Sequence, residues 1–159
     1  MITMSRAVQV NPADEPIKLT REDVWQGLEM KANNALPFVK VMQRCEVVDR
    51  GANWLLRDIQ IDGEPYQERV TLTPMSEVKF ERTKGRVMGT ILNTLEEEKG
   101  ELMLRFSFNL WLVDEPAGGP AEKKFENDMR EAYLAAVAST LAAVRRMAGE
   151  RQGKIKASA

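Results

Sequence analysis

Apolar residues follow two different periods along this chain, and the change of period divides it into two parts. Between Val41 and Val113 apolar and polar positions tend to alternate, which is typical of strands with one buried face. Between Glu122 and about Gly149 apolar residues recur every three or four positions, which is typical of an amphipathic helix. The pattern therefore predicts a run of strands followed by one long helix.

Turn signals divide the strand region at the regular intervals of an antiparallel meander. They are Arg50-Gly51, Asp62-Gly63, Thr73-Pro74, Lys84-Gly85 and Lys99-Gly100. The second, fourth and fifth of these suit two-residue hairpin loops, in which the position of the loop sets the register of the two strands.

Each of these three loops implies a register that can be compared with that of its neighbour. The loop at 62–63 pairs Arg57 with Glu68. The loop at 84–85 pairs Phe80 with Gly89, and the loop at 99–100 pairs Gly89 with Leu110. The last two loops share one strand and independently assign it the same apolar face, which supports the predicted hairpins.

Two shorter elements are predicted ahead of the meander. Residues 6–10 alternate weakly and predict a first strand. Thr20, with acidic residues behind it, is a typical N-cap of a helix that ends at Asn33-Asn34. The apolar stripe of this helix consists of Val24, Trp25, Leu28 and Ala32. At 159 residues the chain is expected to form one domain over residues 6–150, with tails at 1–5 and 151–159.

Composition excludes several kinds of chemistry. The net charge of −1 gives no reason to expect nucleic acid as a partner. The absence of histidine excludes a Ser-His-Asp triad and a histidine-bound zinc site. The single cysteine, Cys45, cannot form an internal disulfide, and no stretch approaches the roughly 20 apolar residues of a membrane span. We expect a cytoplasmic protein without stable membrane insertion, metal or cofactor, and the sequence does not predict its oligomeric state.

The predicted apolar face combines large aromatic residues on the strands with small residues on the long helix. Such a face allows either dense packing or a hollow that binds apolar ligands. The pairing of Arg57 with Glu68 favours a hollow, because a charged pair stabilises a dry core poorly. The alternative is a pair at the rim of the sheet with its charges in water. Arg82 and Asn93 are weaker polar candidates of the same kind.

Several segments carry a resemblance to a known family. They are residues 19–28 (LTREDVWQGL), 56–59 (LRDI), 68–72 (ERVTL) and 104–108 (LRFSF). These segments resemble the AtaL-like family of small bacterial and fungal proteins, and the order of elements resembles the helix-grip fold of the START-like (SRPBCC) superfamily. The resemblance covers residues 6–151 and contains no catalytic signature.

The resemblance implies an α+β fold in which a curved antiparallel sheet of about seven strands wraps around a long C-terminal helix. Short helices would lie between strands 1 and 2, and a hydrophobic pocket would lie between sheet and helix. Members of the superfamily bind lipids, sterols, polyketides or plant hormones, and some catalyse cyclisation or dehydration. Fold alone does not decide between these functions.

Three hypotheses follow. The first is a non-enzymatic protein that binds a small, mostly hydrophobic ligand, with Arg57 holding a carboxylate or carbonyl group and Glu68 orienting Arg57. The second is a cyclase or dehydratase in which Arg57 polarises a carbonyl and Glu68 or Tyr66 transfers a proton. The third is an interaction module without a pocket. The candidate ligand-binding residues are Arg57, Glu68, Tyr66, Phe80, Phe106, Phe108, Tyr133 and Val137.

Overall fold

One antiparallel sheet and two helices make up the fold. The computed structural model describes the backbone of residues 1–158 and the side chains of residues 1–152. The elements in chain order are β1 (Ile2–Gln9), α1 (Arg21–Asn33), β2 (Met42–Arg50), β3 (Trp54–Ile61), β4 (Glu64–Thr73), β5 (Glu77–Lys84), β6 (Val87–Glu98), β7 (Glu101–Leu112) and α2 (Pro120–Ser158).

The sheet has seven strands in the order β1-β7-β6-β5-β4-β3-β2. The predicted meander is confirmed, because β2 to β7 lie side by side in chain order. β1 pairs antiparallel with β7, with Ile2 opposite Leu110. This strand begins at Ile2 and so includes residues 2–5, for which the sequence predicted a tail. Ile2 is almost fully buried, and its burial holds the start of the chain on the sheet.

Two of the three predicted registers are confirmed. Arg57 pairs with Glu68, and Gly89 pairs with Leu110. The third register was wrong by two residues, since Phe80 pairs with Ile91 instead of Gly89. The strands leave residues 85–86 between them instead of 84–85. A shift of two residues keeps every side chain on its predicted face, because side chains alternate with a period of two.

Both helices begin where the sequence predicts. Thr20 caps α1, because its hydroxyl accepts a hydrogen bond from the Asp23 backbone N–H (3.1 Å) while the Asp23 carboxylate accepts one from the Thr20 N–H (2.9 Å). α2 begins at Pro120, a residue suited to the first helical position. It continues to Ser158, so the predicted tail at 151–159 begins inside the helix, and the side chains after Gln152 lie outside the described residues.

The core joins the inner face of the sheet to both helices in one cluster of buried apolar side chains. The α+β arrangement with a long C-terminal helix is therefore confirmed. Within the described chain, neither helix is long and apolar enough to cross a membrane.

Candidate functional site

A cavity of about 440 Å³ lies between the inner face of the sheet and α2. Its walls include the aromatic rings of Tyr66, Phe80, Phe106 and Tyr133. This volume lies in the range of about 300–1,000 Å³ that is usual for small-molecule sites. The sheet and α2 therefore leave a space large enough for a small molecule.

Six of the predicted site residues line this cavity, and two do not. The lining residues are Arg57, Glu68, Tyr66, Phe80, Phe106 and Tyr133. Phe108 and Val137 are buried in the core instead. The Phe108 ring packs edge-on against Tyr133, with 4.7 Å between the ring centroids, and so supports the cavity wall from behind.

Glu68 is held by two arginines in the interior. Its Oε1 accepts hydrogen bonds from Arg57 Nε (3.0 Å) and Nη2 (2.8 Å), and its Oε2 accepts one from Arg82 Nε (3.0 Å). Arg57 is 3% exposed and Glu68 is 2% exposed, so the pair is not at a rim in water. Burial alone would raise the pKa of Glu68, but the charges and hydrogen bonds of Arg57 and Arg82 outweigh it and lower that pKa below its usual value.

Arg57 also holds the last turn of α1. Its Nη1 donates to the backbone carbonyls of Lys31 and Ala32, both at 2.9 Å. These carbonyls belong to the helix end, where backbone acceptors lack partners within the helix. Four of the five N–H groups of Arg57 are thus engaged, and the guanidinium lies over the Phe80 ring at 5.1 Å. At most one N–H of Arg57 is left for a ligand.

Lys31 is a cavity residue that the sequence analysis did not single out. It is 7% exposed, and its Nζ donates to Asn93 Oδ1 at 3.3 Å. The ammonium lies 5.2 Å from the Phe106 ring centroid and 5.9 Å from that of Phe80. No described carboxylate lies within 4 Å of it. Burial first, and the nearby charge of Arg57 second, lower the pKa of Lys31 to about 8, although Glu68 partly opposes them.

A sequence signal for Lys31 did exist. It lies seven residues after Val24 and three after Leu28, on the buried stripe of α1. A lysine on an apolar stripe is a buried-charge candidate, as Arg57 is on β3. Asn93, a weaker candidate in the sequence, is 1% exposed and lines the cavity beside Lys31.

The two tyrosines of the wall are poor bases near neutral pH. The Tyr133 hydroxyl donates to the Ser107 carbonyl at 3.2 Å, and burial raises the pKa of this phenol. Burial also raises the pKa of Tyr66, despite the opposing charge of Arg82, whose guanidinium lies 4.3 Å from the ring centroid. Both phenols are therefore neutral at physiological pH. Among the described residues, no three His, Cys, Asp or Glu side chains are grouped as a metal site would require.

Comparison of the structure with solved structures defines the class of the fold. The chain is similar to a START superfamily protein from Mycobacterium smegmatis, with a TM-score of 0.63 and 12% identity over 89% of this chain and 98% of that one. It is similar to the Zhui aromatase/cyclase from Streptomyces sp. R1128, with a TM-score of 0.70 and 13% identity over 91% and 93% of the two chains. These likenesses show a START-like helix-grip fold, as predicted.

A further match is the di-domain aromatase/cyclase StfQ from the steffimycin biosynthetic pathway, with a TM-score of 0.70 and 12% identity. The match covers 96% of this chain and 52% of StfQ. The family model described as acetylaranotin biosynthesis cluster protein L (AtaL) matches residues 4–151, and the chain belongs to this family. No curated protein sequence matches it significantly.

Proposed function

We propose that the protein binds a small, mostly apolar molecule in the cavity between the sheet and α2. The observation that carries this proposal is a cavity of about 440 Å³ with aromatic walls and a buried ammonium at its inner end. Membership of the AtaL family and the START-like fold, which is shared with two aromatase/cyclases, support a small-molecule role.

The apolar body of the ligand would pack between Phe80, Phe106 and Tyr133. Its polar group would meet Lys31 and Asn93, which line the cavity and have bonding capacity to spare. The sequence alone favoured Arg57 for this contact. The four engaged N–H groups of Arg57 instead support a positioning role, in which Glu68 orients Arg57 and Arg57 holds the helix turn that carries Lys31.

An interaction module without a pocket has less support. That hypothesis expects no pocket, whereas a cavity of about 440 Å³ with aromatic walls lies between the sheet and α2.

A substitution that fills the cavity tests the proposal. Ala136 lines the cavity, and the neighbouring Ala135 is exposed on the same helix. We expect N-phenyl-1-naphthylamine, an uncharged fluorescent probe, to bind wild type and Ala135→Trp, and Ala136→Trp to lose most of this binding. Ala136→Leu, which adds less volume, would give an intermediate loss. Circular dichroism would confirm that all variants fold, and unchanged binding by a folded Ala136→Trp would contradict the proposal.

A cyclase or dehydratase-like enzyme is the second candidate, and one observation favours it. The buried amine of Lys31, with its pKa lowered to about 8, can give or take a proton near neutral pH. Glu68 suits that task less well, because two arginines hold it ionised. Conversion of a polyketide-like or aromatic substrate by wild type, lost in Lys31→Met variants that still bind the uncharged probe, would favour the enzyme. Binding without conversion would favour the binder.

A further inference from the structure

The inner end of the cavity holds more positive than negative charge. Lys31 is 7% exposed and Arg57 is 3% exposed, and the side chain of Arg82 is 7% exposed. Glu68 is the one buried carboxylate among the described residues that line the cavity. Three cations and one carboxylate leave two positive charges in excess.

One of these two excess charges is on Lys31, which has no carboxylate partner among the described residues, and the other is shared by the two arginines. The two arginines share Glu68, with both of its oxygens engaged at 2.8–3.0 Å. The Lys31 ammonium has three N–H groups and one described acceptor, the amide oxygen of Asn93 at 3.3 Å. Its other neighbours are two aromatic rings, which attract a cation far more weakly than a carboxylate does.

The acidic groups at the cavity mouth do not balance this charge. Asp62, Glu64 and Asp128 line the mouth beside Arg86, and all four are exposed. Water and salt screen exposed charges, whereas a buried ammonium without a counter-ion carries most of its desolvation cost. An anionic group entering the cavity would remove that cost by forming a charge-assisted hydrogen bond.

We propose that the ligand is an aromatic organic anion, whose carboxylate, phenolate or enolate oxygen pairs with Lys31 while its rings lie against Phe80 and Phe106. This inference rests on the proposed function and specifies the class of ligand for the same cavity. It disfavours uncharged sterols and neutral lipids, which leave Lys31 unpaired. It also disfavours cationic ligands, because Lys31 already occupies the position where the rings would attract a cation.

Three naphthalene ligands of similar size and different charge test this inference. Calorimetry at pH 7 would measure the binding of 2-naphthoate, the neutral 2-naphthamide and the cationic 2-naphthylmethylamine. We expect wild type to bind 2-naphthoate roughly 10- to 100-fold more tightly than either of the others, the range expected for a hydrogen bond between charged groups. Lys31→Met should lose most of this preference for 2-naphthoate over 2-naphthamide, since the two arginines that remain share Glu68 and only Lys31 lacks a carboxylate partner.

The matched control is Lys40→Met, which makes the same change of net charge at an exposed position. It should retain the wild-type preference. Lys31→Gln provides a second variant of similar length with a neutral polar end. Equal binding of the three naphthalenes by wild type, or a preference for 2-naphthoate that survives both Lys31 substitutions, would overturn the inference. Binding of N-phenyl-1-naphthylamine without any anion preference would reject this inference and leave the proposed function standing, whereas no binding of any probe would reject both.

Discussion

Arg57 connects three elements through one guanidinium. It extends from β3, pairs with Glu68 on β4 and donates to the carbonyls that end α1. Removing it leaves the carboxylate with one arginine and leaves two buried carbonyls without this donor. Breaking one side of a buried ion pair is costly, because the remaining charge stays desolvated.

We therefore expect Arg57→Met to lower the free energy of unfolding by about 3 kcal/mol or more. Urea denaturation would measure this change. Arg44→Met is the control, because Arg44 lies exposed on β2 and its removal should leave the stability nearly unchanged. An Arg57→Met protein as stable as wild type that no longer binds ligand would instead return Arg57 to the role of direct ligand contact.

Arg57 and Lys31 differ in how far the sequence could predict their contacts. The face shared by Arg57 and Glu68 follows from one hairpin loop, because a loop sets the pairing of residues close in the chain. Lys31 and Asn93 lie 62 residues apart in the sequence, so their contact depends on how α1 packs against the sheet. The helical spacing of Lys31 indicates a buried side chain. It does not indicate that Asn93 is its hydrogen-bond acceptor or that a carboxylate partner is missing.

At the scale of elements, the hairpin between β5 and β6 shows why one register was wrong. The sequence Lys84-Gly85-Arg86 has its glycine in the middle, and a glycine can take either position of a two-residue turn. The strands leave residues 85–86 between them, so the glycine comes first. In the Asp62-Gly63 and Lys99-Gly100 turns it comes second, and both residues of each turn have positive φ.

A glycine on the apolar face of a sheet can leave room in a hollow, but Gly89 on β6 has a different role. In the structure an added Cβ would lie 2.0 Å from the backbone oxygen of Asn109 and 2.9 Å from Leu110 Cα. Its φ of +127° is one that side-chain-bearing residues rarely adopt. The glycine therefore permits close approach of β6 and β7.

We expect Gly89→Ala to destabilise the fold by more than about 3 kcal/mol, because backbone strain and a backbone clash add together. Gly63→Ala is the matched control: φ there is +80°, but the added Cβ meets no described atom within 4 Å. It should cost only about 1–2 kcal/mol from strain. Thermal and urea unfolding of both variants would compare them, and equal losses would show that the β6–β7 approach relaxes easily.

The cavity depends on how α2 packs against the sheet, and the sequence predicts it only in part. Large rings opposite small helix residues were visible in the sequence, at Phe80 and Phe106 opposite Ala132 and Ala136. Whether space remains between them depends on the separation of the helix from the sheet. That separation is set by the whole packed core, so a local pattern does not determine it.

In the whole molecule, the buried charge of Lys31 in the cavity wall makes the fold less stable than it could be. Lys31 keeps a desolvated charge in a buried position, where an apolar residue of similar volume would destabilise the fold less. Such a loss of stability is typical of residues retained for function. Glu68 and Tyr66 line the same cavity as Lys31. Neither is expected to titrate between pH 8 and 9.5, since the pKa of Glu68 is lowered and that of Tyr66 is raised.

The stability of the whole domain should therefore depend on pH through Lys31. Its folded pKa of about 8 lies below the ordinary value of 10.5, so the unfolded state binds more protons between these values and stability rises with pH. We expect a gain of about 1.5 kcal/mol from pH 8 to 9.5, measured by urea unfolding at each pH. Lys31→Met should be more stable than wild type at pH 7 and should lack this gain, whereas Lys40→Met should retain it. If the stability of wild type changed with pH no differently from that of Lys31→Met over this interval, the Lys31 ammonium would have a counter-ion or solvent in solution, and an anionic ligand would no longer be favoured.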